Sequence, residues 1–129
     1  MSSVFTRIVR GEIPCHNVGE DDRFLAFLDI APVRMGHTLV IPKQEVDRFF
    51  DLPADLLAGI MPFAQGVARR IKAVVPCNRI GVSVVGLEVP HAHVHLIPID
   101  GLYDMDFSKP KVEMTADELA ALAKRIREA

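Results

Sequence analysis

Between Pro90 and Pro98 the chain reads PHAHVHLIP, which places His91, His93 and His95, three of its five histidines, at every second position. Successive side chains of a β-strand point to opposite faces. A period of two therefore gathers the three imidazoles on one face and sets Ala92, Val94 and Leu96 on the other. The chain must build a strand whose one face is polar and titratable and whose other face is apolar enough to meet a core.

The length, 129 residues, predicts one domain spanning residues 1–129, large enough to bury about two-thirds of its unfolded surface. Hydrophobic residues make up 50% of the chain, enough to predict that some apolar surface is covered by a second copy. A net charge of −2, with acids and bases interspersed, argues against the broad basic surface that nucleic acid requires. Cys15 and Cys77 are not spaced as CxxC and read as reduced thiols. The opening MSSVFTRIVRGEIP carries no apolar leader core, and no segment approaches the ~18 consecutive apolar residues of a membrane span. The expected address is the cytoplasm, with no membrane partner.

Phe5, Ile8 and Val9 recur at helical spacing before Gly11 and Pro14, predicting a short helix over residues 4–10. HNVGEDDRFLAFLDI reads as two strands around an acidic turn at Glu20 to Arg23, and HTLVIPK as a third strand starting at His37 and closed by Pro42. Leu56, Ile60, Phe63, Val67, Ile71 and Val74 follow steps of four and three, marking a long amphipathic helix over roughly 53–75. Pro62 is expected to kink that helix or delay its start. RIGVSVVG and PHAHVHLIPI give the fourth and fifth strands. Thr115 followed by Glu118 is a capping-box signal for a C-terminal helix with Leu119, Leu122 and Ile126 on one stripe. The expected class is α+β: an antiparallel sheet of about five strands with a long central helix and a C-terminal helix, and with the helices, the opening one included, against one side.

Three like rings on one strand face cost stability unless they serve chemistry, and two chemistries suit them. Neighbouring imidazoles can collect a metal ion, although same-face neighbours lie about 7 Å apart, so pairs converge more readily than all three. Alternatively one imidazole is a nucleophile toward phosphorus while the others fix its tautomer and hold anionic oxygens.

HAHVHLIP resembles the histidine triad (HIT) signature, in which three histidines alternate with apolar residues. FTRIVRGEIP, EDDRFLAFLDIAP and GHTLVIPK are similar to the same family in the same order, so the resemblance runs over roughly residues 3–98, closest to its Hint branch of nucleotide-binding proteins. The resemblance implies a HIT-like fold and a homodimer whose two sheets join. It implies that His93 attacks the α-phosphorus of a nucleotidyl substrate, that His95 contacts the phosphoryl oxygens and leaving group, and that His91 and His37 complete the polar cluster. Asp29 would accept the ribose hydroxyls, and Phe5, Ile8, Ile13, Phe27 and Ile30 would line a base pocket. Some relatives hold zinc through a cysteine pair in the opening helix. Here the matching positions are Ser3 and Thr6, which argues against a structural metal.

The resemblance breaks just before the triad. In VVGLEVPH, Gly86 and Val89 keep the pattern at the phosphate rim, but Leu87 stands for a glutamine and Glu88 for a hydroxyl residue that would donate to the phosphate. Ile80 occupies the place of an asparagine. An ionised Glu88 about 4 Å from a phosphate charge would repel it by about 4 kcal/mol at an effective dielectric of 20. Glu88 therefore points to solvent or meets a cationic leaving group such as an amine, and Pro90, lacking a backbone donor, reshapes the rim. The expected function is a metal-independent, cofactor-free hydrolase or transferase acting on purine nucleoside 5′-phosphoramidates or related compounds through a covalent His93 intermediate. A non-catalytic nucleotide- or partner-binding module, a dinucleoside polyphosphate hydrolase and a metal-binding protein remain alternatives.

Overall fold

The protein is described by a computed structural model covering residues 2–129. Five strands form one antiparallel sheet in the order β1-β2-β3-β5-β4, with β1 Asn17–Glu20, β2 Phe24–Leu28, β3 Thr38–Pro42, β4 Arg79–Ser83 and β5 Val94–Ile99. The acidic turn joins β1 to β2 through Asp21, whose Oδ1 accepts the N–H groups of Arg23 and Phe24, each at 2.8 Å. This Asx-type closure is what an aspartate at a turn start supplies.

Alternation along β2 and β3 separates two apolar clusters. Phe24, Ala26, Leu28 and Val40 face the larger one, where they meet Leu56, Ile60, Ala64, Val67 and Ile71 of helix α2 (Ala54–Val74) and Leu119, Leu122 and Ile126 of α3 (Ala116–Arg127). The four-and-three spacing of those residues wraps one stripe of each helix onto the sheet. Thr115 and Glu118 form the expected capping box of α3. Pro62 neither delays α2 nor ends it. Both Pro62 and Ala58 are exposed, so the carbonyl at 58, which loses its partner to the proline, lies on the solvent side.

The opposite face carries the smaller cluster, in which Leu25, Phe27, Leu39 and Ile41 pack on Phe5. Helix α1 (Val4–Val9) therefore lies across the sheet from α2 and α3, not on one side with them as the order of elements led us to expect. Phe5 makes the difference, because its ring sits edge-on to Phe27 at 5.5 Å.

Two strands start later than expected, and one ends sooner. β3 begins at Thr38 because the backbone before it turns through Gly36 at φ +94°, where His37 N–H donates to the Arg34 carbonyl at 3.0 Å. A Cβ at Gly36 would also stand 3.0 Å from Val75 and 3.1 Å from Pro98. β5 begins at Val94 rather than Pro90, because His91 N–H turns back to the Val89 carbonyl at 2.8 Å and Ala92 N–H goes to Val46 at 2.7 Å. Only His95 of the triad lies on the ladder, opposite Leu39 and Ser83. β4 stops at Ser83, leaving 84–90 as a loop that returns over the site. Among the described residues no helix is long and apolar enough to cross a membrane.

Candidate active site

A cleft of about 480 Å³ opens on the α1 side of the sheet, with Phe5, Asp29, His37, His93, His95, Glu88 and Val89 among its lining residues. The other residues singled out from the sequence lie elsewhere. His91 is wholly buried behind the cleft, Phe27 and Ile8 belong to the apolar cluster around Phe5, Ile13 is half-buried, and Ile30 is 75% exposed.

The hydrogen bonds fix the tautomer that each of the four clustered histidines adopts as a neutral ring. His91 Nε2 lies 2.8 Å from the Pro42 carbonyl oxygen and must donate to it. Its Nδ1 is then an acceptor, and Ser3 Oγ donates to it at 2.8 Å. His93 Nδ1 lies 2.7 Å from the carbonyl oxygen of His91, so Nδ1 carries the proton and Nε2 keeps a lone pair. Val33 N–H donates to His37 Nδ1 at 3.2 Å, which leaves the proton on His37 Nε2. That proton goes to His95 Nδ1, 2.9 Å away, and His95 Nε2 becomes an N–H donor.

No wholly buried side-chain nitrogen or oxygen among the described residues lacks a partner. His93 Nε2 and His95 Nε2, which have no protein partner, therefore reach solvent, and the cleft is where both residues line a surface. The rings stand edge to face, with centroids 4.9 Å apart. A nucleophilic lone pair and a hydrogen-bond donor are thus presented side by side.

Burial first, then the positive charges of His95, Lys111 and His93, pushes His37 down to about 3. Burial and His93 push His95 down to about 4. Burial likewise lowers His91, against the pull of Pro42 and Glu45. These rings stay neutral near pH 7, as the tautomer chain requires. Asp29 closes the end of β2: its N–H donates to the His37 carbonyl at 2.9 Å, its Oδ1 accepts Ala31 N–H at 2.8 Å, and its Oδ2 lies 3.7 Å from His37 Nε2. Burial holds its carboxyl above the ordinary range, with the Ala31 bond and the Lys111 charge opposing.

Behind His91 lies a polar clamp that the sequence did not reveal. Thr6 Oγ1 donates to Glu45 Oε1 at 2.6 Å, Ser3 N–H donates to the same oxygen at 2.7 Å, and Thr6 N–H donates to Ser3 Oγ at 3.0 Å. Ser3 caps α1 and fixes His91 at once. Thr6 donation, ahead of the Ser3 N–H bond, draws Glu45 down to about 2. Hydroxyls committed in this way are not the thiolate donors of a structural zinc centre, so this donor set does not fit one.

Two further lining residues, Phe107 and Lys111, were also missed. Phe107 stacks edge-on to His95 at 4.7 Å and lies 6.0 Å from His37, covering the histidine pair. Their segment has no hydrophobic period to mark it. Acid–base ties to Arg34 bring it to the cleft: Asp104 lies 2.5 Å and Asp100 3.3 Å from its guanidinium.

A sheet with two paired imidazole nitrogens at the mouth of a small cleft defines a histidine-based site for an electrophilic or anionic group. A profile of the HIT domain matches residues 10–102. A HIT-like protein of Methanocaldococcus jannaschii is 40% identical over 102 residues, covering 74% of this chain and 77% of its own. The adenosine 5′-monophosphoramidase of Schizosaccharomyces pombe is 35% identical over 131 residues, covering 98% and 96%. The crystal structure of a Hit-like protein involved in cell-cycle regulation from Bartonella henselae aligns with a TM-score of 0.85 at 31% identity, covering 98% of this chain and 95% of that one. The chain belongs to the HIT family.

Proposed function

We propose that this protein is a single-domain nucleotidyl hydrolase that cleaves nucleoside 5′-phosphoramidates or related nucleotidyl compounds through a covalent intermediate on His93. The observation that carries this reading is the 2.7 Å bond from His93 Nδ1–H to the His91 carbonyl, which leaves Nε2 as a lone pair at the cleft. Kinship with the S. pombe adenosine 5′-monophosphoramidase over nearly the whole chain supports the substrate class.

In the first step His93 Nε2 forms a bond to the α-phosphorus, the phosphorus–nitrogen bond breaks, and the amine leaves with a proton drawn from solvent. The ring becomes an imidazolium, so its Nδ1–H bond to the His91 carbonyl becomes charge-assisted and strengthens. The His95 Nε2–H group donates to a phosphoryl oxygen. In the second step water attacks phosphorus, His93 departs as a neutral ring, and the nucleoside monophosphate and a proton are released. Asp29 holds the ribose, and Phe5 and Val89 supply apolar contact for a purine nucleoside.

Glu88, exposed on the cleft lining, faces the departing amine, which becomes cationic on taking a second proton from solvent. Glu88→Gln should lower turnover of amine-bearing phosphoramidates more than of esters with uncharged leaving groups, and equal effects would remove that role. A binding module without turnover is the second reading, favoured by the carboxylate at Glu88 where the family carries a hydroxyl. Steady-state hydrolysis of adenosine 5′-phosphoramidate by the wild type and His93→Ala separates the two. Loss of activity in the variant with nucleotide binding retained supports the enzyme, and equal turnover in both removes His93 from the nucleophile role.

The active unit is a homodimer whose sheets join at the free edge of β4, where Val82 is 49% exposed and Val84 and Val85 continue the apolar surface. Sedimentation equilibrium should give twice the chain mass, and a monomer at micromolar concentration would contradict it.

A further inference from the structure

The cleft carries more negative than positive charge. Among the described residues that line it, Asp29 and Glu88 bear carboxyl groups, and Lys111 is the one lysine or arginine. His37 and His95 are neutral and give hydrogen bonds without a full positive charge. A phosphoryl anion entering here meets two acids and needs an opposing charge, because Coulomb repulsion in a partly desolvated cleft is weakly screened. Leu87, 88% exposed, and Glu88 provide no side-chain donor for it.

Lys111 reaches the cleft because of how residues 100–114 are tied down. Arg34 holds Asp104 and Asp100, Lys109 Nζ lies 3.5 Å from Asp104, and Val112 N–H donates to the Pro32 carbonyl at 2.8 Å. The last bond fixes the residue next to Lys111 against the loop that runs from Asp29 to His37. Lys111 Nζ donates to the Phe107 carbonyl, which uses one of its three N–H groups and leaves two for a ligand. The HIT-domain match ends at residue 102, so this cation is supplied from outside the matched region.

We infer that Lys111 is the phosphate-binding cation of the cleft, carried there by the 100–114 segment in place of the donors absent at Leu87 and Glu88. The inference rests on the nucleotidyl reading above and adds the residue that distinguishes a 5′-phosphorylated nucleoside from the bare nucleoside.

The test is calorimetric titration of the wild type, Lys111→Ala and Lys111→Arg with adenosine 5′-monophosphate and with adenosine. Thermal unfolding of each variant confirms that the fold is intact. Lys111→Ala should weaken the monophosphate about tenfold or more, the loss expected for a charge-assisted hydrogen bond, and leave adenosine unchanged. Lys111→Arg should stay close to the wild type. Unchanged monophosphate affinity in Lys111→Ala, or equal weakening of both ligands, overturns the inference while leaving the hydrolase reading standing. A wild type that binds no monophosphate overturns both. Selective loss in Lys111→Ala from a wild type that never cleaves a phosphoramidate supports Lys111 and removes only the hydrolase.

Discussion

His37 Nε2 and His95 Nδ1 lie 2.9 Å apart, and the backbone N–H of Val33, bound to the other nitrogen of His37, decides which of them holds the proton. A main-chain group outside the triad thereby sets the donor that His95 presents to the cleft.

Burial of this pair makes stability depend on pH. His37 and His95 titrate near 3 and 4 in the folded chain, against about 6.5 when unfolded. Below that value the unfolded chain binds protons that the folded chain refuses, so stability is full above about 6.5 and declines as pH falls toward 4 and 3. The melting temperature should drop between pH 7 and pH 5. His37→Asn, which removes one of the two titrating groups, should show a shallower drop, measured by thermal denaturation across that range.

Ser3→Ala should destabilise the fold, because it removes the donor to the buried His91 Nδ1 and the cap of α1. An unsatisfied buried acceptor costs about 1–3 kcal/mol, readable as a lower midpoint in urea unfolding. Turnover should fall through kcat more than KM, since His91 supplies the carbonyl that fixes His93. Ser3→Thr, which keeps a hydroxyl, should restore part of both.

Phe107→Ala should open the His37–His95 pair to water. Burial is the main cause of their low titration points, so exposure moves both up toward about 6.5. Imidazole carbon chemical shifts followed by NMR from pH 4 to pH 8 would record the change, and an unmoved His95 would mean that Phe107 does not shield it.

The parts of this molecule that depend on local spacing were legible. The alternation of His91, His93 and His95 predicted that the rings share one side of the sheet, although only His95 sits on the strand, the stripe from Leu56 to Val74 predicted α2, and Thr115 with Glu118 predicted the cap of α3. What escaped depends on contacts distant in sequence. The strand start at Val94 follows from Ala92 bonding to Val46, the side of the sheet chosen by α1 follows from Phe5 meeting Phe27, and Glu45 reaches His91 only through Ser3 and Thr6. Lys111 and Phe107 lie in a segment without periodicity, and their place at the cleft depends on Arg34 pairing with Asp104.

The proposed role of His93 Nε2 as the nucleophile can be tested most directly by rapid mixing of the protein with adenosine 5′-phosphoramidate, acid-free quenching and intact-mass spectrometry followed by peptide mapping. One adenylyl group per chain, attached to His93 in the wild type and absent from His93→Ala, is the predicted result. Turnover that persists in His93→Ala, or an adduct mapped to another residue, would contradict it.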